Sequence, residues 1–285
     1  MKSVPISVVI PLYNGERFIR DAIESVQLQT LGVDEIIVVD NNSTDNSRKI
    51  AEEMRVKVIH QPKQGTPAAR NLGIKESRND WIALLDQDDL WKKDKIEYQW
   101  KAIEMFPTAR FIGCELKVFY EHTGQTSISS KGKKPPEDSD IELREIPGAE
   151  VSFVNRIQSD MFNWFYSQTS CTILHREMVS AVGGFNESIE FCDEVEFFLR
   201  FLRPSPVAKV MKELVIYRRH NQNHSLQEER LYPNFLKITE MMLSEPDKYP
   251  KGAGEFYREM VIDYFVQNGL ALAGKLKARE ADSNQ

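Results

Sequence analysis

Leu84-Leu85-Asp86-Gln87-Asp88-Asp89-Leu90-Trp91 stops an apolar run abruptly at three carboxylates. Upstream, Trp81-Ile82-Ala83-Leu84-Leu85 is unbroken and of strand length, the pattern of a strand covered on both faces in a parallel sheet. The acids therefore fall just past the C-terminal end of that strand. In open α/β sheets this edge is where ligands bind, because the helices leave a crevice there. In an extended segment Asp86 and Asp88 are close enough to share one ion, and unpaired they would repel each other. Mg2+ or Mn2+, held by oxygen ligands and completed by substrate phosphates, removes that repulsion. The competing reading makes Asp88 and Asp89 caps of a following helix.

Two earlier stretches repeat the design. Ile6-Ser7-Val8-Val9-Ile10-Pro11 reads as a buried first strand that turns at Tyr13-Asn14-Gly15, followed by a helix over about 16–29. Glu35-Ile36-Ile37-Val38-Val39-Asp40 is a second strand ending in an acid. Asp40 on that edge could accept hydrogen bonds from a base or a ribose, or hold the loop 41–45 by Asx-type bonds. Val56 to His60 is a third strand, after which Thr66 is expected to cap a helix with Pro67 at its first position. Arg70 on that helix, near its N-terminus, suits negative charge; its alternative is a surface cation or an ion pair. The first turn carries no Gly-x-Gly-x-x-Gly, which counts against a dinucleotide-binding fold.

Further along, Ile96, Trp100 and Ile103 mark a helix, and Phe111 to Tyr120 a strand. Between Glu121 and Glu150 the pattern dissolves around Lys131 to Asp138, so a mobile loop or lid is expected. The aromatics of Phe153 to Tyr166 are read as core, with a sugar platform as the functional alternative. Ser170 to Leu174 is expected as a strand, Gly183-Gly184-Phe185-Asn186 as a tight turn, and Leu214 to Tyr217 as a late strand. His220 and His224 lack the glutamate of a zinc-protease helix. From Gln227 two helices are expected, with Tyr257, Val261, Tyr264 and Phe265 on an apolar face and a frayed tail from Lys275.

The totals exclude several classes. Of 285 residues, 41% are hydrophobic and 28% charged, which suits a folded globular chain. A net charge of -6 argues against nucleic acid as a partner. Three cysteines, Cys114, Cys171 and Cys192, form no paired spacing and suggest free thiols. The N-terminal apolar segment is too short and proline-interrupted for a signal peptide, and no run of about 18 apolar residues occurs. The expected location is cytoplasmic, with peripheral association at the inner face of the membrane compatible.

Taken in order, these stretches resemble family 2 glycosyltransferases. The resemblance rests on Val9 to Asn14, Val38 to Asp45, Gly65 with Ala68 to Gly73, Leu85 to Asp89, Gly183 to Glu187, and Tyr217 to His220. It implies an inverting enzyme of the GT-A fold: a Rossmann-like, mostly parallel α/β sheet flanked by helices. The implied glycosyltransferase domain runs over 1–226, with a nucleotide-binding half to about 110 and an acceptor-binding half over 111–226. A C-terminal helical extension follows over 227–285. The donor implied is a nucleotide sugar, a UDP-sugar, and the acceptor a carbohydrate or lipid-linked hydroxyl.

Carried onto this sequence, the resemblance places Pro11, Leu12, Tyr13, Asn14, Asp40, Arg70, Asp86 and Gln87 around the nucleotide. Asp88 would bind Mg2+ or Mn2+, with His220 as second ligand. One departure stands out: where the family usually has Glu-Asp, this chain has Asp193-Glu194. The spacing to Glu196 suggests a capping box with Asp193 as cap, Glu196 reaching back, and Asp193, Glu196 and Arg200 on the face opposite the core. The resemblance leaves the general base open between Asp193 and Glu194; the cap reading favours Glu194, its pKa raised by the rings of Phe198 and Phe201. A non-catalytic sugar-nucleotide-binding protein and a nucleotidyltransferase are the competing functions.

Overall fold

The computed structural model describes residues 2–128, 140–157, 165, 167–223, 228–250, 253–254 and 258. In chain order its elements are β1 (Ser3–Leu12), α1 (Ile19–Gln27), β2 (Gly32–Asp40), α2 (Ser47–Glu53), β3 (Lys57–His60), α3 (Thr66–Glu76) and β4 (Trp81–Leu84). Then come β5 (Leu90–Trp91), α4 (Lys95–Met105), β6 (Phe111–Tyr120), β7 (Gln125–Ile128), β8 (Glu142–Ile146) and β9 (Ala149–Val154). The remainder comprises β10 (Ile173–His175), α5 (Arg176–Ala181), α6 (Asp193–Leu202), β11 (Val207–Arg219) and α7 (Glu228–Ser244).

One mixed, mostly parallel sheet runs β3-β2-β1-β4-β10-β6-β11-β9-β8. Its N-terminal strands β3, β2, β1 and β4 are all parallel, and β11 runs parallel to β6. The short antiparallel strand β10 stitches the two parallel parts together. Such a sheet needs cover on both faces, and the alternation within each strand supplies it. In β4, Ala83 joins the core cluster formed with α1 and α4, while Ile82 and Leu84 join the cluster beneath α3 and α6. Helix α3 lies so close to the sheet that a Cβ on Gly73 would stand 2.3 Å from Val9 Cγ1. Only glycine permits that approach.

Several sequence expectations change. Helix α3 begins at Thr66 with Gly65, φ 144°, as its N-cap. The stretch from 121 to 150 is not irregular where described. β7 pairs β6, and β8 and β9 form a hairpin whose two-residue turn is Pro147-Gly148. Gly148 has φ 84°, as a turn with proline before glycine requires. Strand β8 escaped notice because four of its five residues are exposed at the sheet edge, so polar side chains mask its periodicity. Lys131, Pro135 and the rest of 129–139 lie outside the described residues, as do Phe162, Trp164 and Tyr166. Phe153 and Phe165 are core.

Ser170 and Cys171 form a 3-10 turn before β10 rather than the start of a strand. The cysteines are free thiols. Gly183 and Gly184, at φ 83° and 72°, make the expected turn. Of the C-terminal region, α7 is described, while Tyr257, Val261, Tyr264, Phe265 and the tail from Lys275 lie outside. Ile238, Met242 and Tyr249 belong to the same core cluster as Phe197 and Phe201 of α6. No helix among the described residues is long and apolar enough to cross a membrane.

Candidate functional site

A cleft of about 410 Å³ opens at the C-terminal edge of the parallel strands. Its lining includes Pro11, Leu12, Tyr13 and Asn14 from the end of β1, Asp86, Gln87 and Asp88 from the acidic loop, and Arg70, Asp193, Glu194 and His220. The sequence reading thus assembles, with one exception. Asp40 does not line the cleft: it is 2% exposed, and its Oδ1 accepts the main-chain N–H of Ser43 at 3.1 Å. His60 Nδ1 stands 3.5 Å from its other oxygen. These contacts match the loop-holding alternative, and its neighbour Asn41 reaches the cleft instead.

The acidic loop is held from behind by residues the sequence did not mark. Asp86 N–H donates to Ser170 Oγ at 3.0 Å, and that hydroxyl donates to Asp89 at 2.6 Å. The 3-10 turn that carries Ser170 is held by local bonds, with Thr172 donating both its N–H and its hydroxyl to the carbonyl of Thr169. Asp89 is 1% exposed and also accepts the N–H of Arg218 at 3.2 Å. Burial, then the charge of Asp88, pushes its pKa well above the usual range. Gln87 pairs its amide with both main-chain groups of Tyr13, at 2.8 and 3.1 Å, fixing the first turn to the acidic loop. Gly15 leaves room for that amide, since a Cβ would stand 2.7 Å from it.

Arg70 is 4% exposed and divides its fork between two carboxylates. Nη1 donates to Asp193 and Nη2 to Asp86, both at 2.7 Å. The guanidinium is therefore an ion-pair partner of the acids, which was the alternative to direct contact with a base or phosphate. Its pKa is raised, because Asp193, Asp86 and Glu194 outweigh the opposing effect of burial.

The capping box does not form. Cys192, the N-cap of α6, adopts φ 60°, and no side chain caps the helix. That left-handed turn directs Asp193 inward, where it is 4% exposed and bound to Arg70. Glu196 is fully buried and pairs with Arg200, while Tyr249 Oη donates to it at 2.9 Å. The face expected to meet solvent is thus an internal charge network, because Arg200 also donates to the carbonyls of Val182 and Gly184. Glu194 is half-buried on the cleft wall. Burial first, and the Asp193 charge second, lift its pKa to about 7. That value suits a group that takes a proton near neutrality.

His220 is brought against the acidic loop as expected. Its Nε2 lies 3.0 Å from Asp88 Oδ2, and Phe18 stacks on its ring at 4.3 Å. Arg218, 8% exposed, ties the same region together by donating to Asp88 O, Asp21 and Phe18 O. Phe18 and Ser170 carried no sequence signal, because the partners of the ring and the hydroxyl, His220 for the one and Asp86 and Asp89 for the other, are far away in the chain.

Among the described residues no three His, Cys, Asp or Glu side chains converge as a metal cage. Mg2+ does not need one, since one or two carboxylates plus substrate phosphates commonly suffice. Asp88 provides such an oxygen donor. The electrostatics also fit: Asp86, Asp88, Glu190, Asp193 and Glu194 line the cleft against the guanidinium of Arg70. A diphosphate entering that field requires added positive charge.

This strand-edge cleft on a mixed, mostly parallel sheet belongs to the GT-A class of folds. In the crystal structure of S. aureus TarS 1-349 in complex with UDP, the match has a TM-score of 0.60 at 19% identity, covering 85% of this chain and 66% of that one. For the UDP-GlcNAc complex the TM-score is 0.62 at 18% identity, covering 85% and 67%. The glycosyl transferase family 2 model matches residues 7–183, and the chain belongs to that family. An uncharacterized glycosyltransferase of Rickettsia typhi is 28% identical over 275 residues, covering 93% of this chain and 80% of the relative. One from Rickettsia felis is 39% identical over 132 residues, 45% of this chain but 20% of the relative. The chain thus matches only a minor part of some curated relatives.

Proposed function

We propose that this protein is an inverting glycosyltransferase that moves a sugar from a UDP-sugar to a hydroxyl of a carbohydrate or lipid-linked acceptor. The observation that carries the reading is the placement of Glu194 in the lining of the cleft that also holds Asp86 and Asp88, and the lift of its pKa to about 7 by burial agrees with it. Direct displacement needs one such base. Glu194 takes the acceptor O–H proton as the acceptor oxygen bonds to the anomeric carbon and the carbon–oxygen bond to the diphosphate breaks. Inversion follows from attack opposite the leaving group.

The Pro11 to Asn14 wall and Asn41 line the space for the nucleoside. Arg70 fixes Asp86 and Asp193 so that neither swings into the sugar site. Asp88 would hold Mg2+ or Mn2+, which when bound supplies positive charge to the leaving diphosphate. The TarS complexes with UDP and UDP-GlcNAc support a uridine nucleotide as donor.

The test is a panel of nucleotide sugars, with and without Mn2+, incubated with hydroxyl acceptors while nucleoside diphosphate release and product stereochemistry are followed. Transfer with inversion is expected. Binding without turnover on any acceptor would favour a non-catalytic binding protein, and activity only with nucleoside triphosphate plus sugar phosphate would favour a nucleotidyltransferase.

A further inference from the structure

Lys95, at the start of α4, is fully buried and pairs with no carboxylate among the described residues. A charge taken out of water needs partners. Its Nζ donates to Gln99 Oε1 at 2.6 Å and stands 3.9 Å over the ring of Trp91. Gln99 cannot turn away, because its Nε2 donates to the carbonyls of Ile112 and Cys171, at 3.0 and 2.8 Å. The ammonium charge also acts on two thiols, those of Cys114 and Cys171.

Both thiols are buried and belong to one core cluster. Strands β6 and β10 pair antiparallel with Ile112 opposite Ile173, and carried on by two residues that register sets Cys114 opposite Cys171. Residues directly opposite in such a pair have Cα atoms about 4.5–5.5 Å apart, inside the range that a disulfide spans. Cys114 Sγ lies 3.4 Å from the Cys171 carbonyl oxygen. An ammonium beside two facing thiols favours a thiolate, the reactive form of cysteine.

We propose that Cys114, Cys171 and Lys95 form an oxidation site for hydrogen peroxide, closing a Cys114–Cys171 disulfide that loosens the acidic loop. The Cys114 thiolate bonds to one peroxide oxygen as the O–O bond breaks, and the departing hydroxide takes up the proton that the thiol gave up. Cys171 Sγ then bonds to Cys114 Sγ, the S–O bond breaks, and a second water leaves with the Cys171 proton. Two electrons pass from the sulfurs to the peroxide. The oxidant's route is the cleft, whose lining includes Gln168 and Thr169, next to Cys171 in the same turn. Ser170 carries the consequence to the loop. Its hydroxyl holds Asp86 and Asp89, and its carbonyl accepts Trp91 Nε1–H at 2.9 Å, so drawing Cys171 toward Cys114 shifts that anchor.

Reduced protein treated with hydrogen peroxide and digested without reductant tests the site by mass spectrometry. Peptides joined through Cys114 and Cys171, lighter by two hydrogens than the free thiols, are expected from the wild type and not from Cys114→Ser. Their absence from the wild type, or a cross-link through Cys192 instead, would overturn the proposal. Lys95→Met removes the charge and should slow cross-linking about 10-fold by lowering the thiolate fraction, and Lys95→Gln repeats the measurement with a polar side chain. An unchanged rate in a folded variant would overturn the part given to Lys95. Titration with UDP, a readout that rests on the proposed function, follows the loop. Affinity should fall about 10-fold on oxidation, the scale of one or two hydrogen bonds, recover with dithiothreitol, and stay level in peroxide-treated Cys114→Ser. An equal loss in Cys114→Ser would assign the effect to Cys192 in the cleft lining and overturn the coupling. Should the reduced protein not bind UDP, the proposed function fails, while the cross-link still decides the oxidation site.

Discussion

Arg70 Nη1 lies 2.7 Å from Asp193 Oδ2, and both side chains are buried. This pair bridges α3 and α6 across the candidate active site and makes the two adjacent acids of the Asp193-Glu194 pair unequal. Asp193 neutralises a buried guanidinium; Glu194 stands on the cleft wall without that obligation. Asp193→Asn leaves Arg70 with half its compensation, and breaking a buried pair on one side typically costs about 3–5 kcal/mol. A clear fall in Tm is expected by thermal denaturation. Asn serving there as a harmless substitute, with Tm unchanged, would contradict the pair's structural weight.

Glu194→Gln removes the ionisable group and keeps the shape. Turnover is expected to fall by about 100-fold or more, the range of general-base catalysis, with donor affinity and Tm retained. Retained turnover would return the role of base to another group.

The pH dependence of the same residue has a definite sign. A base works deprotonated, and the Glu194 carboxyl loses its proton near pH 7 because burial and Asp193 disfavour its charge. Turnover should therefore rise through an apparent pKa of about 7 as pH increases. A limb near 4, the ordinary glutamate range, would mean that Glu194 is not the group observed.

The sequence was most legible where physics is local. The run from Trp81 to Leu85 reads as a doubly covered strand because its alternating residues feed two cores, and the acids after it land on the edge as they must. Asp40, on an equivalent edge, misled because Asx bonding to Ser43 is as good a use of a carboxylate as nucleotide binding, and sequence pattern does not rank the two. The helix-wheel reading of α6 failed because a wheel assumes that charge seeks water. Arg200, one turn along the same helix, and Tyr249 gave Glu196 an interior alternative, with Tyr249 and the carbonyls of Val182 and Gly184 supplied from outside α6.

Asp40→Ala provides a direct check on that correction. Removing a buried acceptor from the Ser43 N–H should cost about 1–3 kcal/mol of stability. Isothermal titration with UDP should show a smaller change, since Asp40 does not line the cleft. Loss of nucleotide affinity with stability intact would place Asp40 on the ligand after all.

Tyr249 tests whether the C-terminal segment supports the acid pair. Its hydroxyl donates to Glu196 at 2.9 Å, three residues after Asp193 on the same helix, and the side chain is 2% exposed. Burial first, then the charge of Glu196, holds its pKa above the usual tyrosine range, so it remains a donor at working pH. Tyr249→Phe keeps the ring in the core and deletes the donor. Glu196 retains Arg200, so the expected loss is about 1 kcal/mol, that of one hydrogen bond, and not the larger penalty of a stranded charge. Tyr249→Ala also removes the ring and should cost about 3–5 kcal/mol by opening a cavity in the core cluster to which Tyr249 belongs. If α6 holds Glu194 through this contact, Tyr249→Phe should lower turnover while donor affinity stays level, and the acidic limb should move with it. Denaturant titration of both variants, with pH–rate profiles for Tyr249→Phe, separates the two effects. Equal stability losses in Phe and Ala would show that the hydroxyl, not the packed ring, ties the C-terminal segment to α6.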